Sequence, residues 1–274
     1  MSSVIADNSH LAGQAARPGA QDRLFVLSVG KCFQVLECLN RAQRPLTLTE
    51  LVRMAGMEKS AVQRLTHTLR TLGYLRQHPQ TRAYSLSSRM LEFGHTVLTT
   101  DPVRDVAQPY LERLNRACGE TVNLMELEGR EIVYVSRYPS VHPVSVNLHV
   151  GSRLPAFCTA AGRAILACLP AERAEAILQG PREPMTQYTV TGLPALRRML
   201  EDIRRDGYVI NDQEAFIGDI SVAAPVYNGE REAVGAINIA VPCPRWTASQ
   251  AREQLAPQVL QCAREISRAL AAAL

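Results

Sequence analysis

The chain has 274 residues, 46% of them hydrophobic and 20% charged, with a formal net charge of +4. That length suits two domains with at least one sizeable core, and without an apolar run of membrane-spanning length or a basic-then-apolar leader a cytoplasmic protein, away from any membrane, is expected. Seven cysteines, an odd number with no C-x-x-C pair and no His at zinc-finger spacing, argue against a disulfide framework, a structural metal or a cofactor site, and are expected as reduced thiols.

The charge is unevenly placed. Residues 23 to 89 carry eleven Lys and Arg against three Asp and Glu, whereas the remainder carries nineteen against twenty-three. One end is therefore suited to a polyanion and the other is not. The first 22 residues, rich in Ala, Gly, Ser and Gln, lack apolar periodicity and are expected as a disordered tail.

A first helix is predicted over 28–41, capped by Ser28, with Val29, Phe33, Leu36 and Leu39 on its apolar face. Beyond Arg44-Pro45-Leu46, Thr47 can cap a second helix with Leu48, Leu51, Val52 and Ala55 inward and Gly56 at its end. A third helix, from Glu58 or Lys59 to about Leu72, would bury Val62, Leu65, Leu69 and Leu72 and stop at Gly73. Its outer face presents Lys59, Ser60, Gln63, Arg64 and His67, side chains able to reach phosphates and base edges in a major groove. A solvated polar face would look similar. The helix-turn-helix order, the positive charge and the hairpin that follows together favour double-stranded DNA. That hairpin pairs residues 74–76 with 82–86 around His78-Pro79-Gln80-Thr81, and its Arg76 and Arg82 fit a wing lying on the backbone or minor groove.

Residues 87–99 read as a linker helix too apolar to stand alone, which calls for a second copy or the next domain. Asp101-Pro102 opens another helix, ended by Gly119. The period then alternates: strands are predicted at 121–127, 131–137 and 144–150. Helices follow at 159–169, 170–178 and 193–206, then strands at 208–211, 221–227 and 233–241, and a closing helix over 247–272 kinked at Pro257. This is an α+β pattern. The domains are thus expected at 23–86 for the winged helix-turn-helix, 87–100 for the linker and 101–274 for the α+β part.

Three stretches of the second domain could hold chemistry. Gly151-Ser152-Arg153-Leu154-Pro155-Ala156-Phe157-Cys158-Thr159-Ala160-Ala161-Gly162-Arg163 runs from a loop into a helix amino terminus, whose free N–H groups and dipole suit an anion such as a carboxylate. Small residues there could equally serve close packing. Asn211-Asp212-Gln213-Glu214 leads towards Ser221, and Asn238 interrupts an apolar strand, where its amide needs a partner: a ligand, buried backbone or water. Cys158 near a helix start could be a nucleophile, but His142 and His149 match no nucleophile motif, and a small inert thiol is the simpler reading.

With Glu58-Lys59-Ser60-Ala61-Val62-Gln63-Arg64-Leu65, Leu72-Gly73-Tyr74-Leu75 and those carboxy-terminal stretches, the chain from about Phe25 resembles the IclR family of bacterial transcription regulators. The wording around Arg153 to Arg163, Asp212-Gln213-Glu214 and Pro244-Arg245-Trp246-Thr247 looks like the branch that governs aromatic-acid breakdown (protocatechuate and 4-hydroxybenzoate). The resemblance implies a GAF- or profilin-like effector domain, operator DNA as partner, a dimer with a tetramer beyond it, and no enzymatic activity. It also implies a pocket formed by Cys158, Thr159, Ala160, Ala161, Asp212, Ser221 and Asn238. An architectural DNA-binding protein without ligand, or a Cys-dependent enzyme fused to a DNA-binding module, are the alternatives.

Overall fold

The structure, a computed structural model, describes residues 23–142, 146 and 148–273, which divide between Thr100 and Asp101 into two units. The expected amino-terminal tail lies outside the described residues.

The first unit holds α1 (Leu27–Ala42), α2 (Leu48–Ala55), α3 (Lys59–Thr71), the hairpin β1 (Leu75–Gln77) and β2 (Tyr84–Leu86), and α4 (Met90–Thr99). Helix α1 begins after Val26, with no side-chain cap, so Ser28 is inside the helix rather than its cap. Its buried face is Val35, Cys38 and Leu39; Val29 and Phe33, expected inward, are exposed. The helix carries two apolar stripes, and only one packs on α2 and α3. Leu72 is also exposed, because α3 ends at Thr71 and the chain reverses through Gly73, whose φ of +85° an L side chain would resist. Leu46 bridges Tyr84 through paired backbone hydrogen bonds, which ties the wing to the segment before α2. Helix α4 buries none of its residues within this unit: Leu91, Phe93 and Val97 are all more than half exposed.

The second unit contains α5 (Pro102–Cys118), β3 (Thr121–Glu128), β4 (Glu131–Tyr138), β5 (Arg153–Pro155), a 3-10 turn (Ala156–Cys158), α6 (Ala160–Cys168), α7 (Ala171–Leu178) and α8 (Leu193–Asp206). There follow β6 (Val209–Asp212), β7 (Asp219–Tyr227), β8 (Ala233–Pro242), α9 (Ala248–Gln250), a π-helical turn (Ala251–Leu255) and α10 (Ala256–Ala273). The strands form one antiparallel sheet in the order β5-β4-β3-β8-β7-β6. A strand at 144–150 was expected; residues 143–145 and 147 lie outside the described ones, and 146 and 148–150 are not strand. The sheet edge is instead supplied by β5, paired with β4. The closing helix departs from α geometry in a π turn (Ala251–Leu255) that runs without a break into α10, and Pro257 follows, where the altered hydrogen-bond spacing accommodates its missing N–H.

The two faces of this sheet differ in chemistry. Val122, Leu124, Ile220, Val222, Ile237 and Ile239 join α5 and α10 in a continuous apolar core. On the opposite face the alternating positions are Thr121, Asn123 and Met125 on β3, Asp219 and Ser221 on β7, and Asn238 and Ala240 on β8. Helix α6 packs over β7 and β8 on this polar side.

Candidate ligand cavity and nucleic-acid interface

The polar face is the floor of a cavity, with the first residues of α6 and residues of the 211–216 loop among its other walls. Four buried or half-buried polar side chains of the floor are chained together. Arg137 Nη1 donates to Asn123 Oδ1 at 3.2 Å, Asn123 Nδ2 to Asn238 Oδ1 at 2.8 Å, and Asn238 Nδ2 to Ser221 Oγ at 2.6 Å. Asn238 therefore has protein partners. Arg137 reaches the cavity because of a bulge: β3 and β4 shift register at Leu124/Met125, so that Arg137 opposes Asn123 while Tyr134 opposes Met125. Without the bulge, two residues three apart would point to opposite faces; with it both line the cavity.

At the opposite wall Thr159 caps α6. Its Oγ1 accepts from the Gly162 N–H at 3.2 Å and its hydroxyl donates back to the Pro155 carbonyl at 3.3 Å, so this side chain is spent on the turn. Ala160 and Ala161 line the cavity at the first turn, where helical N–H groups have no intrahelical acceptor. Gly162 serves packing: a Cβ there would collide with the Ala156 backbone. The two readings of the small residues thus divide along the helix.

Two expected wall residues are elsewhere. The Cys158 side chain is fully buried beneath the turn and is not among the lining residues; its carbonyl accepts from Asn211 Nδ2 at 2.9 Å. Burial pushes its thiol up to about 12, against the partial relief from Arg163, so it is a poor thiolate. Asp212 is exposed and pairs with its neighbour Gln213, because strand alternation turns it away and presents Asn211 inward instead. Asn123, Arg137, Asn211 and Asp219 were missed. The i, i+2 polar pairs Thr121/Asn123 and Asp219/Ser221 were visible in the sequence, but starting the strand at Ser221 left Asp219 outside it.

The loop wall is anchored by a buried ion pair. Arg163 on α6 is 1% exposed; its guanidinium binds Glu214 through Nη1–Oε1 at 2.5 Å and Nη2–Oε2 at 2.6 Å, while Nε donates to the Phe157 carbonyl at 2.7 Å. Glu214 Oε2 also accepts from the Val190 N–H at 2.8 Å. One cluster thereby fixes the 3-10 turn, the start of α6 and the 211–218 loop relative to one another.

In the first unit, Lys59, Ser60, Gln63, Arg64 and His67 are all exposed on the outer face of α3, opposite buried Val62, Thr66 and Leu69. Arg82 is at the wing tip with φ of +58°, and Arg76, also exposed, donates to Ser88 Oγ at 3.0 Å. Thr47 is different: its hydroxyl is held in a capping box with Glu50, so its first role is to start α2. Arg44, with help from Thr47, holds the Glu50 carboxyl down at about 2.

The family model described as the IclR helix-turn-helix domain matches residues 28–79, and that described as bacterial transcriptional regulator IclR C-terminal matches residues 95–268. The chain belongs to the IclR family. As an IclR-family member it is a transcription regulator with a DNA-binding helix-turn-helix and a second, effector-binding domain. It is 31% identical to the Pca regulon regulatory protein of Pseudomonas putida over 90% of this chain and 84% of that one. It is 28% identical to the Pca operon regulatory protein of Acinetobacter baylyi, over 90% of each. These two relatives support the aromatic-acid branch. Among solved structures, an IclR homolog from Microbacterium hydrocarbonoxydans complexed with 4-hydroxybenzoate superposes with a TM-score of 0.76 at 25% identity, covering 89% of this chain and 99% of that one.

Proposed function

We propose that this IclR-family regulator binds operator DNA as a homo-oligomer through α3 and the wing, and that a small carboxylate held in the polar cavity alters that binding. The observation that carries the reading is the sheet's asymmetry. One face is an apolar core and the other gathers Thr121, Asn123, Arg137, Asp219, Ser221 and Asn238 around a cavity. Polar side chains gathered around a cavity in an otherwise apolar domain are the kind of groups that orient a small polar ligand. The Arg137 cation and the first turn of α6 favour an anion, and the 4-hydroxybenzoate complex of a relative supports an aromatic acid.

The DNA contacts are assigned to Lys59, Ser60, Gln63, Arg64 and His67 of α3 with Arg76 and Arg82 of the wing, Thr47 contributing through the position of α2. The exposed apolar residues Leu91, Phe93 and Val97 of α4, with Val29 and Phe33 of α1, support a dimer, which also gives two recognition helices for two half-sites. A tetramer would build on that dimer. The buried Cys158 thiol supports a regulator without catalysis, and the protein is taken to work in the cytoplasm; among the described residues no helix is long and apolar enough to cross a membrane.

A thermal-shift screen of aromatic and short aliphatic carboxylates, followed by DNA retardation with each hit, tests the reading. Hits that change retardation are expected. A broad panel without a single shift would leave an architectural DNA-binding protein as the better description.

A further inference from the structure

The lining residues of the cavity's polar floor are nearly all satisfied. Asn123, Asn238 and Ser221 bind one another, Thr121 Oγ1 accepts from the Ser140 N–H at 3.1 Å, and Glu120 is held by Arg245 at 2.7 Å and Trp246 at 2.9 Å. Two lining groups are not. The Asp219 carboxyl and the Tyr134 hydroxyl make no hydrogen bond among the described residues. Both are near Arg137, which has no ion-pair partner within 4 Å among the described residues; its Nη2 reaches the Val146 carbonyl at 3.5 Å. Burial raises the Asp219 carboxyl to about 7, with Arg137 pulling the other way, and burial likewise raises the Tyr134 hydroxyl.

Resting on the carboxylate reading above, we infer that Asp219 and Tyr134 form a second recognition point in the cavity, which selects acids carrying a hydroxyl group. Above about pH 7 Asp219 is a carboxylate, which only accepts hydrogen bonds and so requires a donor from the ligand; a phenol can donate as well as accept. A ligand hydroxyl meets both at once, giving its proton to Asp219 and accepting from Tyr134. An ammonium group, as in alanine, or a neutral arylamine, as in 4-aminobenzoate, could donate to Asp219 but would leave the Tyr134 proton without a good acceptor. An acid without either group leaves Asp219 dry and unpaired, the situation that lets a polar site reject an otherwise similar molecule. Asp219 is a specificity-determining residue in this account, while Arg137 and the start of α6 take the carboxylate common to all these ligands.

Binding is to be measured calorimetrically at pH 8, where Asp219 is ionised, with two matched sets: benzoate, 4-hydroxybenzoate and 4-aminobenzoate, and propionate, lactate and alanine. The proteins are the full-length wild type, Asp219→Leu and Asp219→Asn, each checked by circular dichroism. In at least one set the wild type is expected to prefer the hydroxy acid over the unsubstituted acid by about tenfold or more. Asp219→Leu should reduce that preference to about twofold or less, chiefly by binding the unsubstituted acid more tightly. Equal binding of hydroxy and unsubstituted acids by the wild type would overturn this inference and leave the carboxylate reading standing. So would a preference that survives in both variants. Stronger binding of the amino member would overturn the hydroxyl assignment. Failure of every acid to bind any of the proteins would remove the carboxylate reading and this inference with it.

Discussion

Replacing Glu214 with Leu would leave the Arg163 guanidinium, 1% exposed, without its counter-charge between the 3-10 turn and the start of α6. Breaking a buried pair from one side typically costs about 3–5 kcal/mol, a large share of the roughly 5–15 kcal/mol available to a domain. Arg163→Met should cost a similar amount, since it strands the Glu214 carboxylate and removes the donor to the Phe157 carbonyl. The double replacement Arg163→Met/Glu214→Leu removes both charges but orphans the Phe157 carbonyl and the Val190 N–H, at roughly 1–3 kcal/mol each. It should therefore cost clearly less than the two single changes added together, with a coupling of about 2 kcal/mol or more. Urea unfolding followed by Trp246 fluorescence reads this directly. Trp246 is the chain's only tryptophan and donates to Glu120 in the same unit. Single variants that lose less than about 1 kcal/mol, or a double variant equal to the sum, would refute the idea that this pair is the anchor of the cavity wall.

Thr47→Ala should destabilise the first unit by about 1 kcal/mol, measured by thermal unfolding, because the Glu50 N–H loses its hydroxyl acceptor while the backbone N–H of residue 47 can still donate to the Glu50 carboxylate. In selection from a randomised duplex library, Gln63→Ala should relax base preference at one position; Arg82→Ala should weaken all sequences alike and flatten the dependence on salt. Cys158→Ala should retain ligand response and DNA binding, and a loss of response traced to chemistry rather than folding would reopen the enzyme alternative. Stability without ligand should depend on pH in a defined window. Asp219 and Glu126 are both raised to about 7, each by burial first, with Arg137 and Tyr134 facing Asp219 and Asp101 facing Glu126. The folded protein thus holds more protons than the unfolded chain between roughly pH 4 and 7, so stability falls as pH rises through that window and levels off above it. The melting temperature should be higher at pH 5 than at pH 8, and Asp219→Asn should narrow the difference; a flat profile would contradict the burial of these carboxyls.

Most helices and all but one strand were legible because their signals are local. The Thr47 cap, Gly56, the Asp101-Pro102 start and Gly119 each mark a boundary by backbone chemistry that the sequence displays. The buried face of α1 was not legible, since apolar residues on two stripes cannot say which stripe meets α2. The cavity was half legible. Ala160, Ala161, Ser221 and Asn238 followed from motif position, but Arg137 depends on the β3–β4 bulge, a register feature without a local sequence signature. Asn211 and Asp212 differ only in strand phase: a one-residue error exchanges the wall for the surface. Cys158 was misplaced for the opposite reason, because proximity in sequence to the α6 start does not reveal that its thiol turns under the 3-10 turn.

The most direct test of the account is the affinity for a selected DNA duplex, measured by fluorescence anisotropy with and without saturating 4-hydroxybenzoate or another acid proven to bind. Measurements are made on the wild type and on Asn238→Leu, which breaks the polar floor. The wild type should change its DNA affinity by about 5- to 150-fold on binding the acid, the usual range of coupling between two sites, and Asn238→Leu should show little or no change while still binding DNA. An acid that saturates the wild-type cavity without altering its affinity for DNA would contradict the claim that this cavity is the input of the regulator.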